Sequence, residues 1–348
     1  MSHAEPARAG LWTDPIFAAI RLPPFAVGAL LAGLLLAALI ALAAATGGLA
    51  ELEARGLGWW EHRDGRLGVL LALLGATLPT ALRYHELGTR RNLEALARSD
   101  LWGASPPVDL RAAPVGLSRG IRVGLMSLLI VPVISFSIDR QPGLYFTRDY
   151  WGMAQIWHWL LGSAICFCGG LLTYRVLVDA RRFAALARAL PRVDLLEREG
   201  LLPFAHQGLR AVIPGLIILT FLALNLGDRD FWMAILALGG LTAAQLVGFL
   251  VLPLAGLRER VRAAKREEIA RVHAAIRGDP GALRESPLAR NPDPNLADLL
   301  AWRRFVESVP EWPIDASTLG HTALYLGIPL LSWVGAALVE RVVDALIR

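Results

Sequence analysis

The segment His85-Glu86-Leu87-Gly88-Thr89 opens like the H-E-x-x-H motif of zinc hydrolases, in which two histidines one helical turn apart bind the metal and the glutamate activates water. Position 89 is threonine, so the second ligand is missing. The seven histidines, at 3, 62, 85, 158, 206, 273 and 321, show no metal-binding spacing. Cys166 and Cys168 form a C-x-C pair. On a helix its two thiols point to different faces, so they read as small packing residues and not as ligands. No G-x-S-x-G nucleophile elbow occurs, and the single lysine, Lys265, does not lie in a phosphate-binding loop. No metal, cofactor or catalytic set is expected, and the sequence predicts a protein that is not an enzyme.

The remaining chemistry is ionic. Arg-Asp recurs as Arg63-Asp64, Arg148-Asp149 and Arg229-Asp230. Acid–arginine pairs also stand at Asp139-Arg140, Asp228-Arg229 and Glu340-Arg341, which lie 19, 20 and 20 residues beyond Gly120, Gly208 and Gly320. At about 1.5 Å per residue, roughly 30 Å separates each glycine from its pair, the thickness of a bilayer core. These pairs therefore read as markers of an outer membrane boundary and not as a buried proton relay.

The elements that would position them are transmembrane helices. The chain has 348 residues, 55% hydrophobic and 19% charged, with a mean hydropathy of +0.48. That is too apolar for one soluble core. Seven windows approach the roughly 20 apolar residues of a span: 23–46, 67–84, 121–138, 153–176, 209–226, 231–256 and 321–340. The first is kept as an uncleaved helix, because its apolar stretch is too long for a signal peptide. Of the 35 basic residues, 27 lie in the N-terminal segment or at the loops after the second, fourth and sixth windows. That asymmetry places the N-terminus inside and the C-terminus outside a bacterial inner membrane. The net charge of +5 is then a topology signal, and no nucleic-acid partner is expected.

Short motifs recur in the same order. "RRNLEALAR" (90–98) is matched by "RRFAALAR" (181–188), and "PVDL" (107–110) by "PRVDLL" (191–196), with "WPID" (312–315) as a divergent third copy. The expected fold is thus an all-α integral membrane protein of about seven transmembrane helices, one N-terminal helix plus three pseudo-repeated helix pairs. Residues 1–22 form a cytoplasmic segment, 23–46 the first helix, and 60–145, 146–227 and 228–348 the three pairs, the last with a cytoplasmic insert at 257–318.

Within the membrane, Ala29, Gly33, Ala37, Ala41 and Ala45 make a small-residue stripe on the first helix, with Gly240, Ala244 and Gly248 similar on the sixth. Such stripes allow close helix approach. Packing inside this chain is the expected use, and a homo-oligomer or partner contact the alternative. Prolines at 79, 132, 214, 253 and 329 mark kinks. Polar side chains at depth are few: Ser127, Ser135, His158, Thr173, Thr242, Gln245 and Ser332. The sixth helix is expected to continue to about Arg277, where Gly278, Pro280 and Gly281 stop it, and Asn295 to cap an amphipathic helix ending before Pro310.

These features favour a non-enzymatic scaffold, signalling or accessory subunit that couples to a membrane or cytoplasmic partner through its long helix. The alternative is a channel or uniporter-like transporter with a path along a pseudo-threefold axis.

Overall fold

The structure is a computed structural model that describes residues 22–47, 54, 63–102, 117–132, 153–191, 193–196, 199–223, 232–279, 281–291 and 294–312. They form seven α-helices: α1 (Pro24–Ala45), α2 (Arg63–Arg98), α3 (Leu117–Ser127), α4 (Met153–Arg188), α5 (Leu202–Ala223), α6 (Trp232–Ile276) and α7 (Leu296–Ser308). Among the described residues there are no strands. Five helices, α1, α2, α4, α5 and α6, are long and apolar enough to cross a membrane. The seventh sequence window, 321–340, lies outside the described residues.

The third window is described only as far as Pro132. The α3 helix runs from Leu117 to Ser127, a turn at Leu128 and Leu129 interrupts it, and residues 130–132 are again helical; residues 133–138 lie outside the described residues. Beyond Ser127, Leu128, Leu129 and Val131 donate to carbonyls only three residues back, at 3.1–3.2 Å. Pro132 contributes to this: it has no N–H to donate to the Leu128 carbonyl four residues back, and its ring crowds that carbonyl, at the turn where the ladder tightens.

Three helices outrun any bilayer. α2 and α4 have 36 residues each and α6 has 45, or roughly 54 and 68 Å against a core of about 30 Å. Their overhanging ends pack on one another in a second core containing Leu96, Phe183, Leu186, Phe204, Leu257 and Val261, where the Phe183 and Phe204 rings meet edge-on at 5.9 Å. Both arginine-rich motifs, 90–98 and 181–188, therefore sit in corresponding final turns of 36-residue helices and face a common core. At Gly256 the α6 backbone comes so close to α4 that a Cβ would stand 2.3 Å from the Ala184 carbonyl oxygen.

α6 runs on as expected, ending at Ile276 with Gly278 at φ +90°. α7 starts at Asn295, which forms a capping box with Asp298. Lys265 Nζ donates to the Glu307 and Val309 carbonyls at 2.9 and 2.7 Å, tying the C-terminal end of α7 to α6.

α1 packs on α2 through Leu35, Leu36, Leu39 and Leu42, with Gly28 against Thr80 and Gly68 against Leu39. Ala29, Gly33, Ala37, Ala41 and Ala45 are all exposed, as are Gly240, Ala244 and Gly248 on α6. The contact of α1 within the chain thus uses the large-residue face and leaves the stripe outward. Leu30, Leu34, Leu125, Met126, Leu129, Leu241 and Val247 are likewise exposed, as expected of side chains bathed in lipid.

Candidate functional site

Helices α2, α3, α4, α5 and α6 enclose a cavity of about 460 Å³. Its wall is mostly leucine, isoleucine and valine. The polar groups on it are Ser127, His158, Cys166, Thr173, Thr242 and Gln245, with His85 where α2 turns polar. Five of the seven polar positions singled out from the sequence therefore share one space; Ser135 and Ser332 lie outside the described residues. Two of the hydroxyls are already engaged: Ser127 Oγ donates to the Val123 carbonyl at 2.9 Å and Thr242 Oγ1 to the Leu238 carbonyl at 2.8 Å. Each bonds within its own helix, which satisfies a hydroxyl in apolar surroundings.

His85 joins the cavity to a buried polar network at the overhanging end. Its Nε2 donates to Asp179 Oδ2 at 3.1 Å, linking α2 to α4. Its Nδ1 is buried and has no hydrogen-bond partner among the described residues. Next to it, Glu86 is 5% exposed and faces Arg83 and Arg90 at 3.4 Å and Arg175 at 3.9 Å. One turn on, Gln207 of α5 donates to Thr89 Oγ1 and accepts from Asn92 Nδ2, both at 2.9 Å. Three helices are thus cross-linked by buried polar groups, which interact more strongly there than in water.

Sequence reasoning missed this network for an identifiable reason. Glu86 lies two residues past the second window and Asp179 three past the fourth, so an averaged hydropathy leaves both in solvent. The signal was in the spacing. Leu78, Leu82, His85, Thr89, Asn92 and Leu96 follow one another at intervals of four and three, a single packing seam that passes from apolar through polar and back. On α4, Cys168, Leu172, Arg175, Asp179 and Phe183 do the same. The segment rejected as a broken zinc motif supplies His85, Glu86 and Thr89 to this network.

Arg63 and Asp64 lie in the first turn of α2. Asp139, Arg140, Arg148, Asp149, Asp228, Arg229, Asp230, Glu340 and Arg341 lie outside the described residues. Cys166 and Cys168 are both free thiols. Among the described residues no group of three or more His, Cys, Asp or Glu is placed to hold a metal ion.

The cavity and network combine an apolar chamber, a few converging polar groups and, through His85, a link to buried charged side chains. That combination suits a small solute that uses one or two hydrogen bonds for orientation. Comparison with protein-family models, curated proteins and solved structures finds no match.

Proposed function

We propose that this chain is a non-enzymatic, multi-pass membrane protein that admits a small solute into the helix-lined cavity and passes it across the bilayer, as a channel or uniporter. The observation that carries this reading is the convergence of Ser127, His158, Thr173, Thr242, Gln245 and His85 on one cavity of about 460 Å³. Ionisable groups at membrane depth are costly and commonly mark pathways, and His85 with Asp179 stands where such a pathway meets the charged end.

Gly169 lines the cavity, and a Cβ there meets only a Leu78 methyl at 3.9 Å, an ordinary contact, so a larger residue is expected to take up cavity space. With Cys168→Ala as background, Gly169→Leu slows reaction of Cys166 with a permeant maleimide several-fold. In reconstituted vesicles it also abolishes the glycerol or proton permeability that the parent protein adds over empty liposomes. No added permeability to either probe, together with unchanged labelling in Gly169→Leu, overturns the reading.

A scaffold role is the second reading. It is favoured by the rigid construction beyond the bilayer, where α7 is clamped to α6 through Lys265 and presents Leu296, Leu300 and Phe305 outward.

The topology belongs to the same proposal: seven spans, with the N-terminus and the arginine-rich overhangs inside a bacterial inner membrane. The last six spans form three parallel helix pairs. In favour is the meeting of the basic ends of α2, α4 and α6 in one core. Glu340→Cys in a chain free of other cysteines then reacts with a membrane-impermeant maleimide from the periplasmic side of intact cells. Protection there, with labelling after lysis, overturns the orientation.

A further inference from the structure

A second, narrower space of about 200 Å³ lies between α1, α2 and α5, bordered by Phe25, Gly28, Ala32, Thr77, Ile213 and Phe221 among others. Its two threonine hydroxyls are spent: Thr77 and Thr80 donate to the Leu73 and Ala76 carbonyls of their own helix at 2.7 and 2.8 Å. Phe25 and Ile213 on its border are exposed, so the groove opens toward whatever surrounds the bundle. Along α2 it extends from Leu73 to Tyr84, roughly 16 Å, about half of a 30 Å bilayer core. That is the depth of one leaflet.

The groove ends where α2 becomes polar. There the Tyr84 ring packs on Phe25 at 5.3 Å and carries the Arg210 guanidinium on its face, 5.6 Å from the ring centre. Gly88 makes the seat for that guanidinium: a Cβ at 88 would stand 1.6 Å from Arg210 Nη1. Arg210 is therefore held in place, with its Nη1 buried against Gly88 and without a hydrogen-bond partner among the described residues. Arg83, Arg90 and Arg175 share Glu86, whereas among the described residues no carboxylate pairs with Arg210. A fixed cation at the mouth of an apolar groove one leaflet deep matches a lipid phosphate above its acyl chain.

We propose that the groove between α1, α2 and α5 binds an anionic phospholipid, with one acyl chain between the helices and the phosphate paired with Arg210. The probe is an equimolar mixture of phosphatidylglycerol and phosphatidylcholine in nanodiscs, from which the full chain is released for native mass spectrometry. The expected result is one retained phosphatidylglycerol per chain in preference to phosphatidylcholine. Arg210→Gln lowers that preference by about tenfold, the value of a charged hydrogen bond, and Arg210→Lys keeps most of it. Ala32→Phe fills the groove and removes the retained lipid while Arg210 stays. Equal retention of the two lipids by the parent chain overturns the proposal, as does an unchanged preference in Arg210→Gln. If Arg210→Gln does not fold, Ala32→Phe decides: lipid retained at the parental level overturns it.

Discussion

Glu268→Ala releases α7 and the turn before it from the long overhang of α6. Glu268 is 4% exposed and is the common acceptor for three donors from different segments. Trp302 Nε1 reaches Oε1 at 2.8 Å, Arg271 reaches Oε2 at 3.1 Å, and the Ser286 hydroxyl donates to Oε1 as well. Alanine leaves the buried Ser286 hydroxyl and the Trp302 indole N–H without this acceptor. The loss of two charge-assisted hydrogen bonds at about 1.5 kcal/mol each is about 3 kcal/mol. Leu299 and Val306 still pack on α6, so the segment is expected to open locally and not to unfold the bundle. Amide exchange across 286–309 should accelerate on the order of 100-fold while the α2 and α4 spans stay protected. Acceleration across the whole chain would mean that Glu268 supports the global fold; no acceleration would mean that apolar packing alone holds α7.

Asp179→Leu strikes the partner of a cavity-wall residue, His85. It removes the acceptor of His85 Nε2 and, since Nδ1 already lacks one, leaves a 2%-exposed imidazole with neither nitrogen paired. A buried polar group deprived of its partner costs about 1.5–3 kcal/mol when that partner is charged. Thermal unfolding of the purified chain should register this as a lowered midpoint. Asp179→Asn keeps an oxygen for Nε2 and is expected to recover most of the stability. The transport reading adds a second outcome. Asp179→Leu alters permeability in vesicles more than its stability loss explains, because His85 is part of the cavity wall. A purely structural Asp179 would change the midpoint and leave permeability per folded protein untouched.

The predicted helices and their ends were legible wherever the physics is local. The apolar lengths of α1, α2, α4, α5 and α6 follow from composition over one segment. The stop at Gly278 needs only a residue at ease with positive φ, and the start of α7 needs only Asn295 and Asp298 three residues apart. The break in α3 at Leu128 and Leu129 likewise lies one turn before Pro132, whose missing N–H and ring disturb the local ladder.

What the chain alone determined, then, is where the apolar helical stretches of α1, α2, α4, α5 and α6 lie and on which side of them the arginines gather, each of which depends on neighbours within a turn or two; the runs of α2 to Arg98 and of α4 to Arg188, well past the windows at 84 and 176, were not legible in it. Tertiary structure decided which faces meet. It turned the Ala29 to Ala45 stripe outward, because Leu35, Leu36 and Leu39 offer more apolar area to α2. It also buried His85, Thr89 and Asn92, whose hydrogen-bond partners are 94, 118 and 115 residues away along the chain. A hydropathy average treats such residues as solvated. They can leave water only when another helix brings the matching donor or acceptor, and that match comes into being only as α4 and α5 pack against α2.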